Sequence, residues 1–256
     1  ACLALSDWTL EANVSDRNSS QARELLYRAA EAGDRKAQLR LAMLLQSDVD
    51  SPGGQSEALR WFEMAARQGS RAARVSLADW FWRKGDPASK QWLEALADEG
   101  DPEILYRLGV LLVSEGQVRR AADCLRRAAL SGHSGAQLSY GLLHAAPGGR
   151  QALGVPYSLK KAAYWLEKAS SNGDAQASFQ LYRLYRKCKF SLRSLAMSQR
   201  YLERSADQGH SHAQYLVALS LLRLSVERDA DIAAARWLAR ARRGGHAQAE
   251  SLLKFL

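Results

Sequence analysis

Histidine and cysteine are the residue types in this sequence best suited to metal binding or nucleophilic chemistry. His210 and His212 flank one serine and could form a two-histidine metal site, but no cysteine or carboxylate cluster stands beside them. The cysteines, Cys2, Cys124 and Cys188, form no CxxC pair and fit neither a zinc site nor a dense disulfide framework. We therefore predict that the chain holds no metal and no cofactor.

Catalytic signatures are also missing. The sequence has no GxSxG nucleophile elbow, no HExxH helix and no glycine-rich phosphate or nucleotide loop. Residues 132–135 read Gly-His-Ser-Gly, which has the residue types of a catalytic turn, but this position recurs along the chain. We predict that the protein is not an enzyme. The remaining alternative is an enzyme whose site carries no recognisable motif.

The recurring position belongs to an internal repeat, which decides the fold. Two small residues, two variable residues and a glycine recur seven times, at separations of 31 to 41 residues. The glycines are Gly33, Gly69, Gly100, Gly132, Gly173, Gly209 and Gly245. Large residues stand seven positions before each glycine and, apart from Cys124, eight positions before it, and a usually small residue stands four before. This spacing predicts one face of a helix that ends at the glycine in the left-handed conformation.

A second helix is predicted after each glycine. The next residue is Asp, Ser or His, and the residues four and eight positions past the glycine are almost all apolar, as in a buried helical stripe. His133, His210 and His246 occupy that first position, which favours a turn or cap role over catalysis. Each unit is thus helix, tight turn, helix, and it needs its neighbours to bury both faces.

The clearest copy of the pattern lies at residues 162–169, which read AAYWLEKA and are followed by Gly173, Ala177 and Leu181. The pattern resembles the Sel1-like repeat family, close relatives of tetratricopeptide repeats. The resemblance covers nearly the whole chain, from residue 20 onward. It implies an all-α fold, a right-handed superhelical solenoid of about seven helix-turn-helix repeats.

We expect the chain to form a single repeat solenoid over residues 1–256. Its parts are an N-terminal cap segment at 1–18, repeats at 19–245 and a C-terminal capping helix at 246–256. Four tryptophans occupy the repeat position eight before the glycine and are predicted to be core: Trp61, Trp92, Trp165 and Trp237.

Positive charge is concentrated in the second half of the chain. Residues 1–116 hold 14 Lys and Arg against 18 Asp and Glu, whereas residues 117–256 hold 22 against 9. A basic half of this kind speeds encounter with anionic partners. The same composition is also expected of a solvated cationic surface that only aids solubility. No stacking aromatics are interleaved as in known nucleic-acid-binding modules, so we expect no nucleic-acid partner.

The resemblance also implies where a partner binds. Solenoids of this type use a concave face lined by one helix of each repeat, here the helix after each glycine, at positions six, ten and thirteen past it. These positions select Asp79, Trp82, Tyr106, Phe179, Arg183, Arg186 and Tyr215, with His212 nearby. Aromatic and arginine side chains make the strongest contacts in protein interfaces. Phe179 and Tyr215 have an alternative role, packing in the seam between repeats.

The function implied by the resemblance is protein binding without catalysis. Members include periplasmic immunity proteins that neutralise secreted phospholipase-type effectors, and our first hypothesis is an inhibitor of this kind that acts by occlusion. The alternative is an envelope scaffold for secretion or exopolysaccharide export. Both hypotheses place the protein in the bacterial periplasm or envelope, where Cys2 could be a lipid anchor. The sequence leaves the oligomeric state open.

Overall fold

Helices make up all the regular secondary structure of the described residues. The computed structural model describes residues 16–47, 53–146, 155–187, 192–224 and 228–254, and no strand occurs in these ranges. The chain divides into two compact units, Ala1–Glu99 and Gly100–Leu256. The all-α fold class is confirmed, whereas the expected boundaries between cap and repeats stay a prediction.

The first unit contains five α-helices among its described residues, each packed against the next along the chain. They are α1 (Asp16–Glu31), α2 (Arg35–Ser47), α3 (Gly54–Arg67), α4 (Arg71–Arg83) and α5 (Ser89–Leu96), with a 3-10 turn at Ala97–Glu99. Leu26, Leu41, Phe62 and Leu77 come from four consecutive helices and form one buried cluster. Consecutive repeats therefore share a continuous core.

The second unit contains nine α-helices among its described residues, and again each packs against the next. They are α6 (Pro102–Ser114), α7 (Val118–Leu130), α8 (Ser134–Ala145), α9 (Leu159–Ser171), α10 (Ala175–Lys187), α11 (Leu192–Asp207), α12 (Ser211–Leu224), α13 (Arg228–Arg243) and α14 (Ala247–Leu253). Leu166, Leu181, Leu202 and Ala213 join α9 to α12 in one core cluster.

The repeat glycines end their helices as predicted. All seven have positive φ, between 76° and 98°. At Gly132 the glycine N–H donates to the Ala129 carbonyl at 3.1 Å, and the His133 N–H donates to the Ala128 carbonyl at 3.2 Å. This pair of bonds satisfies carbonyls that the helix end would leave open. The same pair recurs at Gly33, Gly69, Gly173, Gly209 and Gly245.

The predicted core stripe is confirmed at most positions, but Leu25, Ala29, Tyr140, Leu253 and three tryptophans are only half-buried. The residues seven before and four past each glycine are at most 4% exposed. Trp165 is buried, but Trp61, Trp92 and Trp237 are only half-buried and pack at the edge of the core. For Trp61 and Trp237, polar contacts keep the ring near solvent. The Trp61 indole N–H donates to Glu57, and the Arg240 guanidinium lies over Trp237 at 4.8 Å.

Candidate functional site

The helices that follow the repeat glycines carry a row of accessible side chains beside their buried stripe. In the second unit this row, at positions six, ten and thirteen past the glycine, is mainly apolar and half-buried. Its half-buried members are Tyr106, Val110, Val113, Leu138, Leu142, Ala145, Tyr215, Leu219 and Leu222. Helix α10 differs, because Arg183 and Arg186 are exposed there while Phe179 is buried. The accessible row thus changes from apolar to cationic at α10.

Three of the predicted aromatic residues, all in the second unit, stack on histidines of the next repeat. Tyr106 stacks on His133 with ring centroids 4.6 Å apart, and Phe179 stacks on His210 at 4.4 Å. Tyr215 stacks on His246 at 4.4 Å. Each stack joins the sixth position past one glycine to the first position past the next. This placement favours a packing role between repeats for these three aromatics. Because Phe179 is buried, little of its surface is accessible to a partner.

Two of these histidines, His133 and His210, cap helices through their side chains, as the sequence predicts, whereas His246 stands at an N-cap position without a side-chain cap bond. Nδ1 of His133 accepts from the Ala136 N–H at 3.1 Å, and Nδ1 of His210 accepts from the Ala213 N–H at 3.1 Å. Because Nδ1 accepts, the proton of each neutral ring must be on Nε2. The two Nε2–H groups then donate to the preceding repeat, to Glu103 at 2.9 Å and to Gln176 at 2.7 Å. Each ring therefore stacks, caps and bridges at once.

Electrostatics at these seams favour the neutral forms of His210 and His246 and the ionised form of Glu103. Burial, reinforced by the nearby His212, lowers the pKa of His210. Burial followed by His212 likewise lowers the pKa of His246. For Glu103, burial acts to raise the pKa, but hydrogen bonds from His133 and Arg107 outweigh it, so that the pKa is lowered.

His212 belongs to the ring contacts between the last two repeats. Its Nδ1 is 2.9 Å from Nε2 of His246, and its ring meets the edge of Phe179 at a centroid distance of 5.4 Å. Over the residues described, no three His, Cys, Asp or Glu side chains are grouped so that they could hold a metal ion. Cys2, the suggested lipid anchor, lies outside the described residues. No helix among them is long and apolar enough to cross a membrane.

Arg183 and Arg186 stand on the exposed face of the last two turns of α10. The Nη1 atom of Arg183 donates to Gln180 at 3.4 Å, and the Arg186 guanidinium donates to the Tyr182 hydroxyl and lies over that ring at 5.7 Å. Both partners are uncharged, so these contacts orient the guanidinium groups without neutralising them. We name Tyr182, Arg183, Arg186 and Lys187 together the arginine ridge.

Two apolar hollows flank the arginine ridge. The first, of about 440 Å³, is lined by Leu142, Ala145, Ala146, Tyr157, Leu159, Leu166, Gln180, Arg183, Leu184 and Lys187. The second, of about 460 Å³, is lined by Tyr182, Arg186, Leu195, Ser198, Gln199, Leu202, Leu216, Leu219, Ser220 and Arg223. A shallow depression over the four ridge residues shares Arg183 and Lys187 with the first hollow, and Tyr182 and Arg186 with the second. We call the whole surface the ridge groove. It includes Leu159 and Leu195, which are 38% and 50% exposed.

The remaining predicted site residues belong to the first unit. Asp79 and Trp82 are half-buried on α4. Asp79 lines a hollow between α2 and α4 with Met43, Trp80 and Arg83. The structure thus places the eight predicted residues in three groups: this pair, the stacked aromatics with His212, and the two arginines.

Three buried glutamines have a structural role that the sequence analysis did not predict. Gln38, Gln137 and Gln214 each stand five positions past a repeat glycine and are at most 6% exposed. Their side-chain amides donate at 3.0 to 3.2 Å to carbonyls in the last turn of the preceding helix. The amide of Gln68 then donates to Gln38, and that of Asn172 to Gln137, linking consecutive repeats. Recurrence of Gln at one repeat offset was the available signal.

The family model for the Sel1 repeat matches most of this chain. The matched segments are residues 1–34, 35–70, 102–133, 136–174, 192–210 and 211–246. The chain belongs to the Sel1 repeat family. Sel1 repeats typically form protein-interaction scaffolds, so this chain is a protein-binding solenoid. No curated protein matches its sequence significantly.

Solved structures agree with this assignment. A Sel1 repeat protein from Oxalobacter formigenes is similar with a TM-score of 0.79 and 26% identity, covering 98% of this chain and 74% of the other. The protective antigen c5321 of uropathogenic Escherichia coli, which displays the same repeat fold, gives 0.71 and 22% identity, covering 98% and 55%. The immunity protein Pa5087 from Pseudomonas aeruginosa gives 0.42 and 20% identity over 86% and 80%, too distant to support an argument about function.

Proposed function

We propose that this Sel1 repeat protein is a non-catalytic inhibitor that binds one protein through the ridge groove and acts by occlusion. The observation that carries the proposal is the exposure of Arg183 and Arg186 between two apolar hollows. Interfaces gain most of their energy from a few arginine and aromatic or apolar anchors surrounded by contacts that exclude water. The groove offers this combination on rigid helices.

The finer part of the proposal names the target as a secreted hydrolase of the phospholipase type, met in the bacterial envelope. It rests on the resemblance stated from the sequence, together with the positive charge of the second half of the chain. An inhibitor of this kind needs no reacting groups of its own. It covers the entrance or an acidic surface of the enzyme, and one bound copy stops one enzyme.

Affinity capture from an envelope fraction of the native bacterium tests this function. The bait is the wild-type chain beside Arg183→Glu/Arg186→Glu, and captured proteins are identified by mass spectrometry. We expect one hydrolase at one-to-one stoichiometry, lost with the variant, and loss of its activity when wild type is added in equal amount. Arg242→Glu/Arg243→Glu is the matched control. It also reverses the charge of two exposed arginines in the last turn of a helix, α13, but these lie outside the ridge groove.

The other outcomes of this capture have definite meanings. Several envelope-assembly proteins, or a polymer alone, would contradict the inhibitor and support the scaffold for secretion or exopolysaccharide export. Equal capture by the wild type and the ridge variant would show that the binding surface lies elsewhere. Turnover by the purified chain, lost on a single substitution, would overturn the non-catalytic assignment.

A further inference from the structure

The ridge groove has a charge and shape that select one kind of occupant. Arg183, Arg186, Lys187 and Arg223 line it, and no Asp or Glu is among the described residues that do. Arg186 and Lys187 also lie in the last turn of α10, where the negative end of the helix dipole stabilises positive charge. The groove is therefore strongly cationic along its centre and apolar on both sides.

These positive charges lack a described carboxylate partner. Arg183 and Arg186 make their side-chain hydrogen bonds to an amide and a phenol, both uncharged. They are three positions apart on one helix, so that they project side by side on the same face. A guanidinium forms its strongest contact with a carboxylate, through two parallel N–H···O bonds. Acidic side chains are the natural counterpart of the ridge.

The two hollows add a second requirement. On one side of the ridge, Tyr157 and Leu159 are exposed, at 39% and 38%. On the other side, Leu195 is half exposed, beside Leu216 and Leu219. Large apolar side chains left accessible on both sides gain free energy when a partner covers them. A purely acidic chain satisfies the ridge and leaves both hollows open to water.

We infer that the ridge groove binds an acidic amphipathic segment of a partner protein, in which one or two carboxylates are flanked on each side by an apolar anchor. The inference rests on the proposed protein-binding function and specifies the chemistry of its partner. The carboxylates pair with Arg183 and Arg186, one anchor enters the hollow at Leu159, and the other enters the hollow at Leu195. No bond is made or broken.

A random library of 14-residue peptides, displayed and selected on the full chain in physiological salt, tests the inference. Enriched peptides are expected to carry Asp or Glu between two apolar residues, with Kd measured by fluorescence anisotropy. Arg183→Glu/Arg186→Glu should weaken binding by about a hundredfold, because both charge pairs become repulsive. Leu159→Ser and Leu195→Ser should each weaken it by about three- to tenfold. Leu130→Ser, at a residue 63% exposed outside the groove, should leave it within twofold.

Paired changes locate each anchor. A peptide whose first or second anchor is replaced by Ser should lose its sensitivity to one of the two Leu variants and keep its sensitivity to the other. Enriched peptides without carboxylates, or binding that ignores the groove variants, would overturn the inference. Equal binding of polyglutamate or of anionic vesicles would also overturn it, since diffuse attraction would then suffice. If the captured hydrolase still depends on Arg183 and Arg186, the proposed function survives these failures.

Discussion

His212 and His246 face each other across consecutive repeats, with Nδ1 of His212 2.9 Å from Nε2 of His246. The contact is a hydrogen bond only while at least one of the two rings is neutral, because two protonated imidazoles offer no acceptor. The edge contact of His212 with Phe179 and the stack of His246 on Tyr215 hold both rings in this arrangement. Acidification that protonates both rings therefore removes a hydrogen bond between the last two repeats.

We expect the protein to lose thermal stability as the pH falls from about 7.5 to about 5.5. The pKa values of His210 and His246 are lowered in the folded state, so the unfolded chain binds more protons once the pH falls below about 6.5. Stability is then greatest above that value and decreases below it. Glu103, whose pKa is lowered, stays ionised throughout this range.

Melting temperatures of wild type and His210→Asn/His246→Asn, measured at both pH values, check this expectation. Asparagine caps helices and does not titrate in this range. The variant should lose a smaller part of its stability on acidification, although it melts lower at pH 7.5 because both stacks are gone. Equal losses in the two proteins would show that other groups control the pH dependence.

The contributions of the helix cap and of the ring stack at His133 can be measured separately. His133→Asn keeps a cap acceptor and loses the stack on Tyr106, whereas His133→Ala loses both. We expect Ala to be less stable than Asn by about 1 kcal/mol, the usual contribution of a cap. Urea denaturation of the two variants measures the difference. Identical midpoints would mean that the Ala136 N–H is satisfied without His133.

Gly109 allows α6 to pack closely on α7. A Cβ placed there would lie 2.7 Å from Cγ of Leu125, which is fully buried. We expect Gly109→Ala to lower the free energy of unfolding by about 1–3 kcal/mol through overpacking. In contrast, a Cβ at Gly132 meets no atom within 4 Å, so that Gly132→Ala is costly only because φ is 92°.

Denaturation of Gly109→Ala in a Leu125→Ala background tests the steric cause. Removal of the Leu125 side chain makes room for the new methyl group, so the two changes together should cost less than the sum of their separate effects. Leu125→Ala should give no such relief to Gly132→Ala. Additive costs at Gly109 would mean that its destabilisation has another origin.

The buried amide of Gln137 links α8 to the last turn of α7 and to Asn172, which directly follows α9. It donates to the Ala129 carbonyl at 3.2 Å and accepts from Asn172 at 3.1 Å. Gln137→Leu leaves both groups without this partner, and we expect it to cost about 1–3 kcal/mol in chemical denaturation. Gln248→Leu, at an exposed position of α14, is the matched control and should change stability by less than about 0.5 kcal/mol. A cost no larger than that of the control would rule out the bridging role.

The sequence predicts those features that depend on local spacing. The positive φ of Gly132 and the burial of Leu166 and Ala177 follow from offsets within one repeat, because a helix turns by a fixed angle per residue. The place of Arg183 and Arg186 beside the buried stripe of their helix follows in the same way from their offsets past Gly173.

Features that join different repeats are not contained in such spacing. The stack of Phe179 on His210 and the bond from Asn172 to Gln137 each need two side chains more than 30 residues apart in sequence. The hollow beside the arginine ridge takes Tyr157 from the irregular segment before α9, where no periodicity guides prediction. Half-burial of Trp61 depends on a polar partner for its indole N–H, which the apolar pattern does not show.

The stacks between repeats have a consequence for how such a chain changes length during evolution. One ring of each stack comes from the sixth position of a repeat and the other from the first position of the next, with nearly equal geometry at Tyr106, Phe179 and Tyr215. The ring geometry is therefore shared by the three seams, and we expect Phe179 to stack on His246 if the repeat between them is lost. Duplication or loss of a whole repeat bounded by such joints preserves every seam, while the set of exposed side chains offered to a partner grows or shrinks by one helix.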